Sequence, residues 1–374
     1  MSTLKVDEIL DSSGGSNAVL YGPASPAGSM GFRNRIINGD MRIDQRNAGA
    51  SVTPASGAVT YTVDRWKFYV TQASKLTVQQ NAGSVTPPAG FTNYLGTTSS
   101  SAYSVGSGDL FVQYQAIEGF NCADFAWGTA SAKTITISFW VRSSLTGTHS
   151  GALQNSANNR SYAFTFTVNS ANTWEQKTIT VAGDQSGTWL TNNGIGLSIY
   201  FNLGAGSTYS TTAGSWQAGN FTAVTGSVSV VGTNGATFYI TGVQLEVGSV
   251  ATEFERRPYG TELALCQRYF QSIGGTVQYT RFAWGQAYSG SRAQVITPLK
   301  VTMRTSPSLN VVGSTYAPNS TASNLAVTAY AIDSADPNNV VTDITVSSGF
   351  TAGYATQWIS LNNTTTFVQY SAEL

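Results

Sequence analysis

Strict two-residue alternation, repeated at short intervals, is what most narrows the fold of this chain. In TITISFWV, Ile135, Ile137, Phe139 and Val141 share one face; in SYAFTFTV, Tyr162, Phe164, Phe166 and Val168 do the same. Trp66, Phe68 and Val70 follow the pattern, as do Ile179 with Val181 and the run Ile195, Leu197, Ile199, Phe201 and Leu203. Period two, with Thr and Ser opposite, means antiparallel strands that have one buried and one wet face. Turn clusters such as NSANNR and AGDQSGTW separate them at the spacing of a β-sandwich. The phase slips once: Phe238 and Ile240 have one parity, Val243, Leu245 and Val247 the other. A β-bulge at Gly242 would return both sets to the core.

Charge is scarce, at 10% of residues against about 25% in an average soluble domain. The balance of 19 basic and 19 acidic residues gives zero net charge. A duplex nucleic-acid binder needs a basic surface, and an anionic membrane needs the same, so neither partner is expected. No apolar run approaches the roughly 18 residues of a membrane helix. The start, MSTLKVDEILDSSGG, has no apolar core of a secretory signal. Cys122 and Cys266 are too few for a disulfide framework and read as buried free thiols. Cytoplasmic synthesis joined to a hydroxyl- and amide-rich composition fits a protein released by lysis.

Three regions follow. In residues 1–30 a short strand with Leu4, Val6, Ile9 and Leu10 precedes a Pro/Gly-rich linker; unable to bury itself, it reads as an attachment or intertwining segment. Residues 31–260 make the sandwich. A charge knot at Glu253, Glu255, Arg256 and Arg257 marks a seam. After it, Thr261 is expected to cap a helix from Glu262 to about Gln271, with Leu263, Cys266 and Phe270 on one face. Residues 261–374 then carry strands again (TVQYTRFAW, QVITPLKV, LAVTAYAI, VVTDITV, WISL, TTTFVQY), a second β domain. The expected class is all-β: an N-terminal attachment strand, a sandwich, a short linking helix and a C-terminal β domain.

Several segments, RNRIINGDMRIDQRNAG, YTVDRWKF, TISFWVRSSLTGT, NTWEQKTITV and TGVQLEVGSVATEFERRP…LCQRYF, occur in an order that resembles bacteriophage tail-fibre and receptor-binding proteins. The likeness is to those with a jelly-roll domain of the carbohydrate-binding-module type, over about residues 31–270. STLKVDEILDSSG is similar to the virion-attaching start of such fibres. The resemblance implies a homotrimeric, non-enzymatic virion protein, assembled in the host cytoplasm. Its N-terminus would join a tail, baseplate or adaptor protein, and its tip would meet a host-surface glycan or outer-membrane protein. Residues 271–374 resemble no family, which suits a variable host-specific tip.

No catalytic or metal constellation stands out, and no cofactor or metal ion is expected. His149, the only histidine, lies in a Gly/Ser/Thr-rich stretch without a GxSxG partner and reads as an exposed loop residue. One His and two distant Cys do not make a zinc site. The serious catalytic rival is a polysaccharide depolymerase using a pair drawn from Asp109, Glu118 and Asp124; a third reading is a purely structural tail or capsid appendage. For recognition, the best aromatic–arginine group is Tyr279, Arg281, Trp284, Tyr288 and Arg292, suited to glycan contact and, more readily, to a subunit interface within a trimer. The strip Arg33, Arg35, Arg42, Arg46 and Arg65, interleaved with Asp40, Asp44 and Asp64, is expected to form surface pairs or a contact with another chain.

Overall fold

The alternating strands stack as two sheets whose apolar faces meet, in a computed structural model that describes residues 32–321 and 323–374. The larger sheet runs Val59–Tyr61, Lys67–Val70, Leu110–Glu118, Ile195–Ala205, Gly147–Gln154, Arg160–Val168, Trp216–Ala218. The sheet facing it runs Leu76–Gln80, Leu95–Ser99, Thr237–Val247, Ile135–Ser143, Glu175–Val181. All neighbours in both are antiparallel. The chain passes between the sheets repeatedly, giving a jelly-roll sandwich. Its core is the set in phase along the strands: Trp66, Phe68, Ile135, Ile137, Phe139, Ile199, Phe201 and Phe238 are fully buried. Phe139 sits edge-on to both Phe166 and Phe201 at 5.0 Å between ring centroids.

The slip at Gly242 is a bulge, as the parity change predicts. The register between Thr237–Val247 and Ile135–Ser143 shifts between Thr241 and Gln244. Ile240, Val243 and Leu245 are all buried in consequence. Gly242 holds φ at +60°, and a Cβ there would lie 2.6 Å from the Phe91 ring. Only glycine accepts both conditions without strain.

The helix spans Tyr259–Gln267, earlier at both ends than the sequence suggests, and Thr261 does not cap it; Pro258 precedes it. Phe270 is not helical. It opens the strand Phe270–Gly274, which pairs with Phe367–Ser371, and this long-range ladder ends the helix. With Ser308–Val312 these form a three-stranded sheet beside a closed barrel of Arg281–Ala287, Arg292–Pro298, Asn339–Val346, Asn324–Ala335, Tyr316–Pro318 and Ala355–Ile359. Phe282, Val295, Ile344, Trp358 and Tyr370 fill its interior.

The arginine strip divides: Arg35 makes a surface pair with Asp124 and Arg42 pairs with Asp40, as expected, whereas Arg46 and Arg65 are drawn into the joint between the two β units. Arg65 and Arg46 both pair with Glu373, and Arg65 is 1% exposed. Arg257 donates to the Ile36 carbonyl at 3.2 Å and pairs with Glu262, tying residues 34–36 to the helix. Lys67 and Tyr61 both donate to the Leu374 carbonyl. Arg304 donates to Ala372 and Glu373 carbonyls at 2.8 Å each. Its Nη1 also reaches the Asn193 carbonyl of the sandwich at 2.8 Å, and burial of these charges is possible because each is partnered. Sequence position alone gave no sign of this, since Glu373 is some three hundred residues from Arg65. Leu4, Val6, Ile9 and Leu10 lie outside the described residues.

Candidate ligand-binding groove

Arg281 and Trp284 are three positions apart, so a regular strand would send them to opposite faces. A bulge prevents this. Arg281 faces Ile359 while Ala283 faces Trp358, two steps on one strand against one on the other. Phe282 and Ala283 are consequently both buried, and Arg281 and Trp284 emerge on the same outer face. Trp284 is opposite Gln357, whose Oε1 accepts from Arg281 Nε at 2.9 Å. This hydrogen bond fixes the guanidinium beside the indole.

Tyr279 completes the group. Its φ is +57°, a left-handed backbone that bulky residues rarely adopt. Its N–H is anchored to the Leu361 carbonyl at 2.9 Å. Tyr279, Arg281, Trp284, Asn324, Thr356 and Gln357 surround an open groove of about 500 Å³, within the range of small-ligand sites. Trp284 is 50% and Tyr279 53% exposed. Two half-bare rings, amides and one guanidinium can stack on the C–H face of a sugar while hydrogen bonding to its hydroxyls.

Tyr288 and Arg292 belong elsewhere. Both bind Asp343, Tyr288 Oη reaching its two carboxylate oxygens at 2.9 Å each. The Arg292 guanidinium lies 5.7 Å from the Tyr288 ring centroid. Across the turn between the Arg281–Ala287 and Arg292–Pro298 strands this is a self-satisfied cluster, with its cation already neutralised.

Two of the candidate acids are far apart. Asp109 and Glu118 flank opposite ends of Leu110–Glu118, which at ~3.3 Å per residue puts them roughly 30 Å apart. A glycosidase pair needs about 5–9.5 Å. Burial works against ionised Asp109, but the Gly106 N–H and the Thr71 and Tyr103 hydroxyls outweigh it and hold the carboxyl low. Glu118 is likewise held low against its burial by Arg268 and Tyr269. Asp124 pairs with Arg35 at 2.8 Å. His149 is no exposed loop residue: it is 0% exposed, inside Gly147–Gln154, stacked 5.7 Å from Phe166. Its Nε2 lies 3.1 Å from the Leu145 carbonyl, and burial pushes its pKa down. The two cysteines are free and buried.

A second aromatic group escaped the sequence analysis. On the outer face of the larger sheet, Tyr114 stacks on Tyr200 at 4.8 Å, with Tyr69 and Tyr209 beside them. The signal was present for three of them: Tyr69, Tyr114 and Tyr200 each sit out of phase with the core residues of their strands, whereas Tyr209 lies in a 3-10 turn. The rest of that face is covered by the chain itself. Gln154 donates to Asn220 and the Phe221 carbonyl, and Ser150 and Asn202 meet Ser227.

The class defined here is an all-β protein pairing a jelly-roll sandwich with a barrel that bears an aromatic groove. No family model matches the sequence, and no curated protein matches it. Among solved structures, it is similar to the enzymatically active domain of bacteriophage CBA120 tailspike protein 4 at 12% identity and a TM-score of 0.29; 49% of this chain and 19% of that one are covered. It is also similar to the tandem CBM22 domains of Paenibacillus barcinonensis Xyn10C, at 10% identity and 0.25, over 88% and 98% of the two chains. The family 11 carbohydrate-binding module of Clostridium thermocellum, in complex with a mixed-linked tetrasaccharide, gives 15% and 0.27, over 54% and 98%. The chemistry of the groove, and not these likenesses, carries the functional reading.

Proposed function

We propose that this chain is a phage tail fibre that attaches to host cells by non-covalent recognition of a surface glycan at the Tyr279–Trp284 groove. The observation that carries this is the bulge that brings Arg281 and Trp284 to one face, with Gln357 holding the guanidinium. A saccharide needs such a platform of half-exposed ring and fixed polar groups. Separation of Asp109 from Glu118 supports binding without hydrolysis. Retention of the protein on host envelope polysaccharide, lost in Trp284→Ala, is the test; release of reducing sugar by the wild type would overturn the non-enzymatic part.

The segment holding Leu4, Val6, Ile9 and Leu10 joins the tail, baseplate or an adaptor, and three copies assemble in the host cytoplasm. A homotrimer is supported by the strand Asn324–Ala335, whose residues 328–335 pair, among the described residues, with the strand Asn339–Val346 alone. Ala329, Tyr330 and Ala331 there are exposed, and the bare edge has little charge to discourage a second chain. Three weak sites per fibre would then act by avidity. A structural appendage is the second reading. Closure of the sandwich's outer face by its own 206–228 stretch favours a spacer role for that domain.

A further inference from the structure

Taking the glycan reading as its basis, we infer that the groove selects an anionic saccharide, one carrying a carboxylate or phosphate. Arg281 is exposed at the groove, and the only hydrogen bond of its side chain among the described residues runs from Nε to Gln357. That bond uses one edge of the guanidinium. The two Nη groups, the fork that grips paired anionic oxygens, have no protein acceptor. Most other arginines differ: Arg35, Arg42, Arg46, Arg65, Arg160, Arg257, Arg268 and Arg292 each hold an acid. Among the described residues, no Asp or Glu lines the groove.

The result is a fixed, uncompensated positive charge next to a stacking surface. A neutral sugar would be served by the rings and by Asn324, Thr356 and Gln357, leaving the fork to water. A carboxylate or phosphate on the stacked sugar, or on the one beside it, gains a charge-assisted bidentate contact. Because Gln357 and the bulge already hold the guanidinium, little side-chain freedom is lost on binding. Lysine would not replace it, having a point charge and no second edge for Gln357.

The test uses matched polymers: polygalacturonate against its carboxyl-reduced form, and dextran phosphate against dextran, each titrated with the full chain, Arg281→Gln and Trp284→Ala. Tighter binding of an anionic polymer than of its neutral twin is expected, by about tenfold or more, with Arg281→Gln weakening the anionic polymer far more than its neutral twin and so erasing the difference. The carboxylated and phosphorylated arms show which anion is preferred. Equal binding of twins by wild type, or an equal loss on both in Arg281→Gln, overturns the anionic inference. Trp284-sensitive binding of a neutral polymer in that case keeps the glycan reading standing. If wild type binds none of the four, both fail.

Discussion

Arg268 and Glu118, 150 positions apart, meet as a two-bond pair, Nε to Oε2 at 2.9 Å and Nη2 to Oε1 at 2.6 Å. Glu118 closes a sandwich strand, and Arg268 follows the helix that leads into the barrel. Tyr269 adds its hydroxyl to the same carboxylate at 2.6 Å. The glutamate is 1% exposed, so its charge depends on these partners. Arg268→Ala should destabilise the protein by about 3 kcal/mol, the lower part of the range for orphaning a buried charge, because Arg268 itself is partly solvated. Urea unfolding measures it. Since the folded carboxyl is held below its ordinary value, the pair's contribution is present above the ordinary carboxylate pKa and is lost as pH falls through the depressed one. The gap between wild type and Glu118→Gln should therefore close in acid.

Lys67 gives the joint a second pH dependence of the same sign, in a higher window. Burial, with Arg65 nearby, pushes its pKa down to about 7, against a countering pull from Glu373. Tyr114 and Tyr61 face its ammonium at 5.0 and 5.7 Å, and Arg304 is also near. From pH 7 to 10.5 the unfolded chain holds this proton and the folded chain does not, so stability rises with pH. Between pH 7 and 9 the rise should be about 2 kcal/mol. Lys67→Met should flatten it in unfolding titrations at the two pH values.

Gly242→Ala should cost about 2 kcal/mol, since it sets a Cβ against Phe91 in a left-handed backbone. Thermal melts would show it. An alanine variant as stable as wild type would mean that the strand can re-register past the bulge.

Arg292→Gln should leave glycan binding unchanged, because that arginine is spent on Asp343 and stands outside the groove. Titration with whichever polymer wild type binds checks this.

The core was legible because alternation is a local signal: Trp66, Phe139 and Phe201 are buried for the reason their spacing gives. Gly242 was legible too, through a parity change within one strand. The Arg281 bulge was not, because Phe282 and Ala283 carry no phase conflict strong enough to reveal it. Grouping Tyr288 with Trp284 failed for a related reason: closeness in sequence across a turn says nothing of Asp343, which arrives from another strand. The arginine joint was hidden by distance along the chain. His149 looked like a loop residue because small neighbours make a strand resemble a turn.

The most direct test of the account is a binding titration of wild type and Trp284→Ala against an array of bacterial surface polysaccharides, with circular dichroism confirming equal folding. Wild type should bind at least one polysaccharide, and the variant should bind it about tenfold or more weakly, a loss of roughly 1.4 kcal/mol or greater. Equal binding by the two proteins, or none by wild type, would contradict the assignment of the groove.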